Sequence, residues 1–347
     1  MKDSRKELLE DPWPAYPHRE GDTTEGTVAA VLPNGNLLVN ADGIVGEVLK
    51  YNVSWFNFQS GMNRYRTGDR LRVLLVKFDP EALVRIAKEA GMKYLVITAK
   101  HHDGFAMFKS QASKYNIVDF TPYGKDVLDT RAKACRKQGI KLGFYYSQIQ
   151  DWNNPGGTTG RRPMSQGWPH PKAEEIDAYT LAHQGSWDPL QQTATRKEYF
   201  DRVAIPQIKE LLTNYGDIAV FFWDTPSEMT EEYAGKISAL FNEYPHIITN
   251  DRLIRGSERF TGDYKTPEQT IPTVKQLDGT DWETCMTLND SWGYKRRGTV
   301  WKTSRTLILS LIDIVSKGGN FLLNIAPDGE GAIPEINYHR LKEIGDW

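Results

Sequence analysis

The stretch Ala219-Val220-Phe221-Phe222-Trp223-Asp224-Thr225-Pro226 decides how the rest of the chain is read. Ile218 to Trp223 is an unbroken apolar run, which suits a strand buried on both faces. It ends in one carboxylate followed by a Thr-Pro turn. A parallel barrel carries its chemistry at the C-terminal ends of its strands, so Asp224 stands where a catalytic group belongs. Asp is also a common turn residue, and its meaning depends on what accompanies it.

Outward from this strand, the chain from about residue 80 alternates helix and strand. The pattern predicts helices over 80–90 and 126–138, closed by Gly91 and Gly139, the residue type that ends helices in the left-handed conformation. Further helices are predicted over 199–215, 307–317 and 335–347. Strands are expected at 93–99, 141–147, 218–223, 247–249, 282–287 and 319–325. Repeated units of this kind point to an α/β fold of the (β/α)8-barrel type. The stretches 150–196 and 260–280 have little periodicity and fall between strands, as substrate loops do.

The N-terminal part has another texture. Residues 1–22 are charged and Pro-rich, an arm. Residues 23–79 read as short strands separated by Asn34-Gly35, Asp42-Gly43 and Thr67-Gly68-Asp69 turns, the pattern of a small β-barrel. Glu25-Gly26-Thr27-Val28, Asn34-Gly35, Gly43, Gly46 and Tyr65-Arg66-Thr67-Gly68-Asp69 resemble the RNA-binding OB-class module named for a ribosomal protein. In such modules aromatic side chains stack bases and cations meet phosphates. The resemblance therefore implies a nucleic-acid surface at Trp55, Phe56, Tyr65 and Arg66; the plainer alternative is that these aromatics are packing residues.

Composition limits the function classes. Hydrophobic residues are 39% and charged residues 25% of the 347, which is a globular balance. The net charge of -2 gives no global attraction to nucleic acid or anionic membrane, so a nucleic-acid partner is expected only through 23–79. The two cysteines, Cys135 and Cys285, show no metal spacing and make a disulfide framework unexpected. No apolar h-region follows Met1, so no signal peptide and no membrane span are expected in this chain.

Polar groups gather at the expected strand ends: His101-His102-Asp103, Tyr145-Tyr146, Asp224, Asn250-Asp251-Arg252 and Glu283. Adjacent histidines on an extended segment point to opposite sides and are poor joint ligands. No Cys or His nearby completes a tetrahedral set, so no metal or other cofactor is expected. There is no phosphate-binding Gly-rich loop and no Gly-x-Ser-x-Gly elbow. Carboxylates with histidines, an arginine and aromatics suit glycoside hydrolysis, where one carboxylate attacks and a second acid protonates the leaving oxygen.

The runs Thr98-Ala99-Lys100-His101-His102-Asp103-Gly104-Phe105, Phe144-Tyr145-Tyr146-Ser147, Phe222-Trp223-Asp224, Asn250-Asp251-Arg252, Trp282-Glu283, Ser291-Trp292-Gly293-Tyr294 and Gly318-Gly319-Asn320-Phe321-Leu322-Leu323-Asn324-Ile325 give residues 80–347 a resemblance to glycoside hydrolase family 29, the α-L-fucosidases. The resemblance implies a retaining mechanism with Asp224 as nucleophile. It puts His101, His102, Tyr146 and Arg252 on the sugar and Trp292 against its apolar face. For the acid/base it leaves Glu283 and Glu268, leaning to Glu283. Relatives are often periplasmic or secreted. The implied partner is a fucosylated oligosaccharide or glycoconjugate. The family's first strand, ending in His-Trp-Gly, has no counterpart here, nor has its C-terminal β-sandwich. A barrel lacking its first βα unit exposes two strand edges. The alternatives are therefore a weakened, fucose-binding barrel or a nucleic-acid-binding protein led by 23–79.

Overall fold

The computed structural model describes residues 23–31, 37–42, 44–48, 65–74, 82–121, 123–158, 193–295, 300–327 and 333–347. Trp55 and Phe56, the Asn34-Gly35 turn, and Gly43 lie outside them. The chain divides into two compact units, Met1–Phe78 and Asp79–Trp347.

In the first unit, strands β1 (Thr23–Val31), β2 (Leu37–Ala41), β3 (Ile44–Val48) and β4 (Arg70–Leu74) form an antiparallel sheet in the order β3-β2-β1-β4. On β1, exposed and buried residues alternate, the period-two signature of a sheet with one packed face. Val28, Leu37, Val39, Ala41 and Val73 form that face. Tyr65 is half-buried and packs against them, while Arg66 is exposed and its backbone N–H donates to Asp69 Oδ2 at 2.7 Å.

The second unit is built on parallel strands with helices between them. Helix α1 (Ala82–Glu89) leads to β5 (Tyr94–Lys100), α2 (Val127–Gln138) to β6 (Lys141–Ser147), a long helix α3 (Arg196–Asn214) to β7 (Val220–Asp224), and α4 (Glu231–Phe241) to β8 (Ile248–Thr249). After a long excursion come β9 (Glu283–Thr287), α5 (Ser304–Ser316), β10 (Asn320–Asn324) and α6 (Glu335–Asp346). Strands β5-β6-β7-β8 form one parallel sheet and β9-β10 a second. Single parallel bridges, Asn250 to Tyr264, Lys265 to Trp282 and Glu268 to Cys285, connect the two through the segment 264–268. Among the described residues the strands of this unit therefore all run one way, and their C-terminal ends face one side.

Local chemistry explains the elements. Asp126 caps α2, its carboxylate accepting from the Asp129 N–H, and Gly139 ends the helix at φ 68°, a conformation that costs glycine little. Helix α3 consists of Arg196–Tyr199, a π turn Phe200–Ala204 and Ile205–Asn214. Pro206 follows the π turn; it lacks an N–H and crowds the preceding turn, a recognised cause of such offsets. The turn buries Phe200, Val203 and Ala204 under Phe221 and its neighbours in the main core. Strand β8 is only two residues long, and the fully buried side-chain amide of Asn250 continues its ladder. Asn250 Oδ1 accepts from the Trp223 N–H at 2.8 Å and its Nδ2 donates to the Trp223 carbonyl at 2.9 Å.

Strand β6 approaches β7 closely at Gly143, where an added Cβ would lie 2.8 Å from Val220 Cβ. Overpacking at such a site costs about 1–3 kcal/mol. Gly143→Ala is expected to lower the urea midpoint correspondingly without changing the slope of the transition; an unchanged midpoint would show that the strands can separate freely.

Candidate active site

Strand β7 places Asp224 at its C-terminal end. Its partners come from three other elements. Tyr145 of β6 donates its hydroxyl to Asp224 Oδ2 at 2.8 Å. Arg252, in the turn after β8, donates Nη1 to Asp224 Oδ1 at 3.0 Å. The same Nη1 lies 3.0 Å from Glu268 Oε2, so the two carboxylate oxygens are no farther apart than two hydrogen-bond lengths. Arg252 is fixed by Thr266, whose hydroxyl accepts from Nε at 3.0 Å and whose carbonyl accepts from Nη2 at 2.9 Å. Gln148 joins the strand ends: its Oε1 accepts from the Asp224 N–H at 3.2 Å, and its Nε2 donates to the carbonyls of Arg252 and Leu253, each at 2.9 Å.

Backbone strain brackets the pair. Thr225, immediately after Asp224, has φ 56°, and Gln269, immediately after Glu268, has φ 55°. A β-branched residue in this region is an outlier, and such outliers concentrate at functional sites. A cleft of about 920 Å3 opens beside these residues, lined among others by Asp224, Arg252, Thr266, Glu268 and Arg255.

Tyr145 links Asp224 to the histidines. His101 stacks on Tyr145 with centroids 5.1 Å apart, and it meets His102 edge-on at 4.1 Å. His102 packs against Trp152 at 4.0 Å. Burial and then the neighbouring His102 push the proton affinity of His101 down, against the pull of Asp224 and Asp103. A neutral imidazole offers one donor and one acceptor. Burial, then Asp224, pushes the Tyr145 phenol up, so its proton stays available for the carboxylate. Burial works against the charge of Arg252, but Asp224, Cys285 and Glu268 outweigh it and hold the guanidinium above its usual range. Burial raises the Cys285 thiol to about 11, so it is an inert neighbour of the arginine. Among the described residues no group of three or more His, Cys, Asp and Glu is placed to hold a metal, and no helix is long and apolar enough to cross a membrane.

Two expected site residues stand elsewhere. Tyr146 is fully buried, and its hydroxyl donates to Gln207 Oε1 at 2.8 Å; it faces helix α3 rather than the cleft. The ladder pairs Tyr145 with Phe222 and Tyr146 with Trp223. Asp224 shares a face with Phe222 by strand alternation, and so Tyr145 is the tyrosine beside it. The alternation was legible, but only with the register between β6 and β7 in hand. Glu283 begins β9 instead of ending it. Its Oε2 accepts from Tyr94 and, at 2.6 Å, from Asn320 Nδ2, residues that begin β5 and β10. It therefore belongs to the opposite end of the strands from Asp224. The expected strand 282–287 already has Glu283 at its start; the preference for Glu283 over Glu268 came from the resemblance of the surrounding residues and not from strand polarity. Trp292 is exposed at 42%, and its carbonyl accepts from Nδ2 of Asn324 at the end of β10. Gln148, Thr266 and Trp152 were not singled out; each is an ordinary loop residue until its contacts are known.

The fold and these strand-end groups define a protein of parallel α/β architecture with a carboxylate–arginine–carboxylate site. The alpha-L-fucosidase family model matches residues 57–347, and the chain belongs to that family. It is 26% identical over 287 residues to an alpha-L-fucosidase of Dictyostelium discoideum, covering 78% of this chain and 54% of that protein. To the plasma alpha-L-fucosidase of Homo sapiens it is 29% identical, covering 78% and 53%. The chain spans about half the length of the curated relatives it matches. Among solved structures, alpha-L-fucosidase AlfC from Lactobacillus casei in complex with alpha-L-fucose product is 33% identical with TM-score 0.65, covering 78% of this chain and 79% of that one. Isoenzyme 1 from Paenibacillus thiaminolyticus is 35% identical with TM-score 0.66, covering 78% and 63%.

The position of Glu283 predicts a pH effect on stability. Burial raises its proton affinity, against hydrogen bonds from Tyr94 and Asn320. The folded state thus resists ionisation, and the stabilisation present below the unfolded carboxyl value of about 4.3 is lost as pH rises through the higher folded value. Glu283→Gln keeps an acceptor oxygen and removes this dependence. Urea midpoints should favour the variant over wild type more at pH 7 than at pH 4; the reverse trend would refute the placement.

Proposed function

We propose that the chain is a retaining α-L-fucosidase that removes terminal α-L-fucose from fucosylated oligosaccharides or glycoconjugates. The observation that carries the reading is Arg252 Nη1, 3.0 Å from both Asp224 and Glu268. This keeps one oxygen of each carboxylate within two hydrogen-bond lengths of the other, a range that includes the separation of roughly 5–5.5 Å used by a retaining pair. The parallel unit is read as a (β/α)8-type barrel lacking its usual first βα unit, and the antiparallel unit as an OB-class module.

In this reading Asp224 attacks the anomeric carbon. Arg252 and the Tyr145 hydroxyl hold its two oxygens apart and aimed, and they stabilise the carboxylate that leaves again when the glycosyl-enzyme is hydrolysed. Glu268, 45% exposed by its side chain, donates a proton to the leaving oxygen and then takes one from the attacking water. His101 and His102 bind sugar hydroxyls and Trp292 covers the apolar face. Glu283 has a structural part at the far strand ends, and Tyr146 lies behind the sheet.

Purified protein is expected to release 4-nitrophenol from 4-nitrophenyl α-L-fucoside, and Asp224→Ala to release none above background. Glu268→Gln should lose about 10²–10⁴-fold on a fucosyl disaccharide, whose leaving group needs a proton, and less on the nitrophenyl substrate. Glu283→Gln should remain near wild type on both. Wild-type release that persists in Asp224→Ala would sink the nucleophile assignment, and loss on Glu283→Gln with none on Glu268→Gln would exchange the two acids.

A further inference from the structure

Lys100 ends β5 with its side chain fully buried. Its Nζ lies 3.0 Å from Asp151 Oδ2, itself fully buried, and 2.6 Å from the Tyr199 hydroxyl. The ammonium also sits 4.7 Å from the Tyr146 ring centroid. This charge pair is outside the hydrolytic mechanism. Buried ion pairs are weak sources of stability, and apolar replacements often serve a core as well, so its hydrogen bonds show what it does.

Asp151 folds the turn after β6. Its Oδ1 accepts from the backbone N–H groups of Asn153 at 3.0 Å and Asn154 at 2.8 Å, and its Oδ2 accepts from Asn154 Nδ2 at 2.8 Å. That turn carries Trp152. The Trp152 N–H donates to the His102 carbonyl at 2.8 Å, and its ring packs on the His102 ring. From the other side Gly104, at φ 83°, closes the His101 turn so tightly that an added Cβ would lie 2.2 Å from Asp151 Oδ1. One carboxylate, held in place by one ammonium, thus joins the loop after β5 to the loop after β6.

We propose that Lys100 and Asp151 are positioning residues of the site: their buried pair locks the 151–154 turn against residues 101–104 and so fixes the orientation of the His101 and His102 rings. The proposal rests on the fucosidase reading for its kinetic consequence and on the contacts above for its structural one. The charged groups acting on His101 are His102 and Lys100, which oppose its protonation, and Asp224 and Asp103, which favour it; Tyr145 stacks on its face.

The test is the double variant Lys100→Met/Asp151→Asn, which keeps volume and neutralises both positions. It is studied by 15N histidine NMR titration and by kinetics on 4-nitrophenyl α-L-fucoside. The expected result is a cooperatively folded protein with an upward shift of the His101 titration midpoint, because an opposing charge is gone, and altered His102 resonances. KM should rise at least tenfold with a smaller change in kcat. Wild-type histidine titrations together with wild-type KM would overturn the proposal, as would a kcat loss with KM and titrations unchanged. If the double variant does not fold, Lys100→Met alone, which removes the same opposing charge from His101 and keeps the turn's acceptor oxygens, is read the same way. Absence of nitrophenol release by the wild type would refute the fucosidase reading by itself, and the histidine spectra would still decide whether the pair positions the rings.

Discussion

The site depends on one guanidinium. Two carboxylates held within reach of the same atom repel each other unless a cation stands between them. Arg252 is that cation. It is more suitable than a lysine would be, because its planar fork can meet a carboxylate with one nitrogen and spend the others on fixed acceptors. Thr266 takes both remaining directions, and the segment 264–268 that carries Thr266 also carries Glu268. The arginine therefore sets the position of the strand segment as well as the charge of the site.

This arrangement explains the irregular backbone between β8 and β9. A regular strand there would continue the ladder but would point Glu268 according to strict alternation. Isolated bridges at Tyr264, Lys265 and Glu268 keep the direction of the sheet while leaving each residue free to turn. The left-handed residue Gln269 ends the segment, and its side chain is anchored by the Thr287 hydroxyl at 3.0 Å. The strain at Thr225 and Gln269 is small beside the packing of the buried strand Val220–Asp224, against which helices α3 and α4 lie.

Much of this was legible in the sequence, and the reason differs by element. The run before Asp224 reads as a strand because a segment buried on both faces has no polar positions to spare. The helix ends were marked by Gly91 and Gly139. The bounds shifted where a cap preceded the periodic run: α5 starts at Ser304, three residues ahead of its first apolar position, because Thr303 caps it by accepting from the Thr306 N–H. Helix α3 began at Arg196 rather than 199, since Thr195 and Glu198 form a capping box. The site was legible as a set of residue types and not as a geometry. Tyr145 and Tyr146 are chemically identical neighbours, and only the register with β7 assigns one to Asp224 and the other to Gln207.

Glu268 and Glu283 show the same limit at larger scale. Both are glutamates in the same part of the chain, and both belong to segments paired in the sheet. Glu268 bridges Cys285, near the middle of β9, with Arg252 Nη2 3.8 Å from the Cys285 sulfur; Glu283 begins that strand opposite Asn320. A parallel strand has two chemically distinct ends: one opens onto loops free to build a cleft, and the other is closed by the entering chain. Buried at the closed end, a carboxylate accepting hydrogen bonds from Tyr94 and Asn320 joins the first residues of β5, β9 and β10. These two outer strands, β5 and β10, are not paired with each other among the described residues. A polar cluster at their origin therefore does part of the work that a ladder between them would do. Glu283 thus helps to hold together the sheet on which the Asp224–Arg252–Glu268 cluster stands.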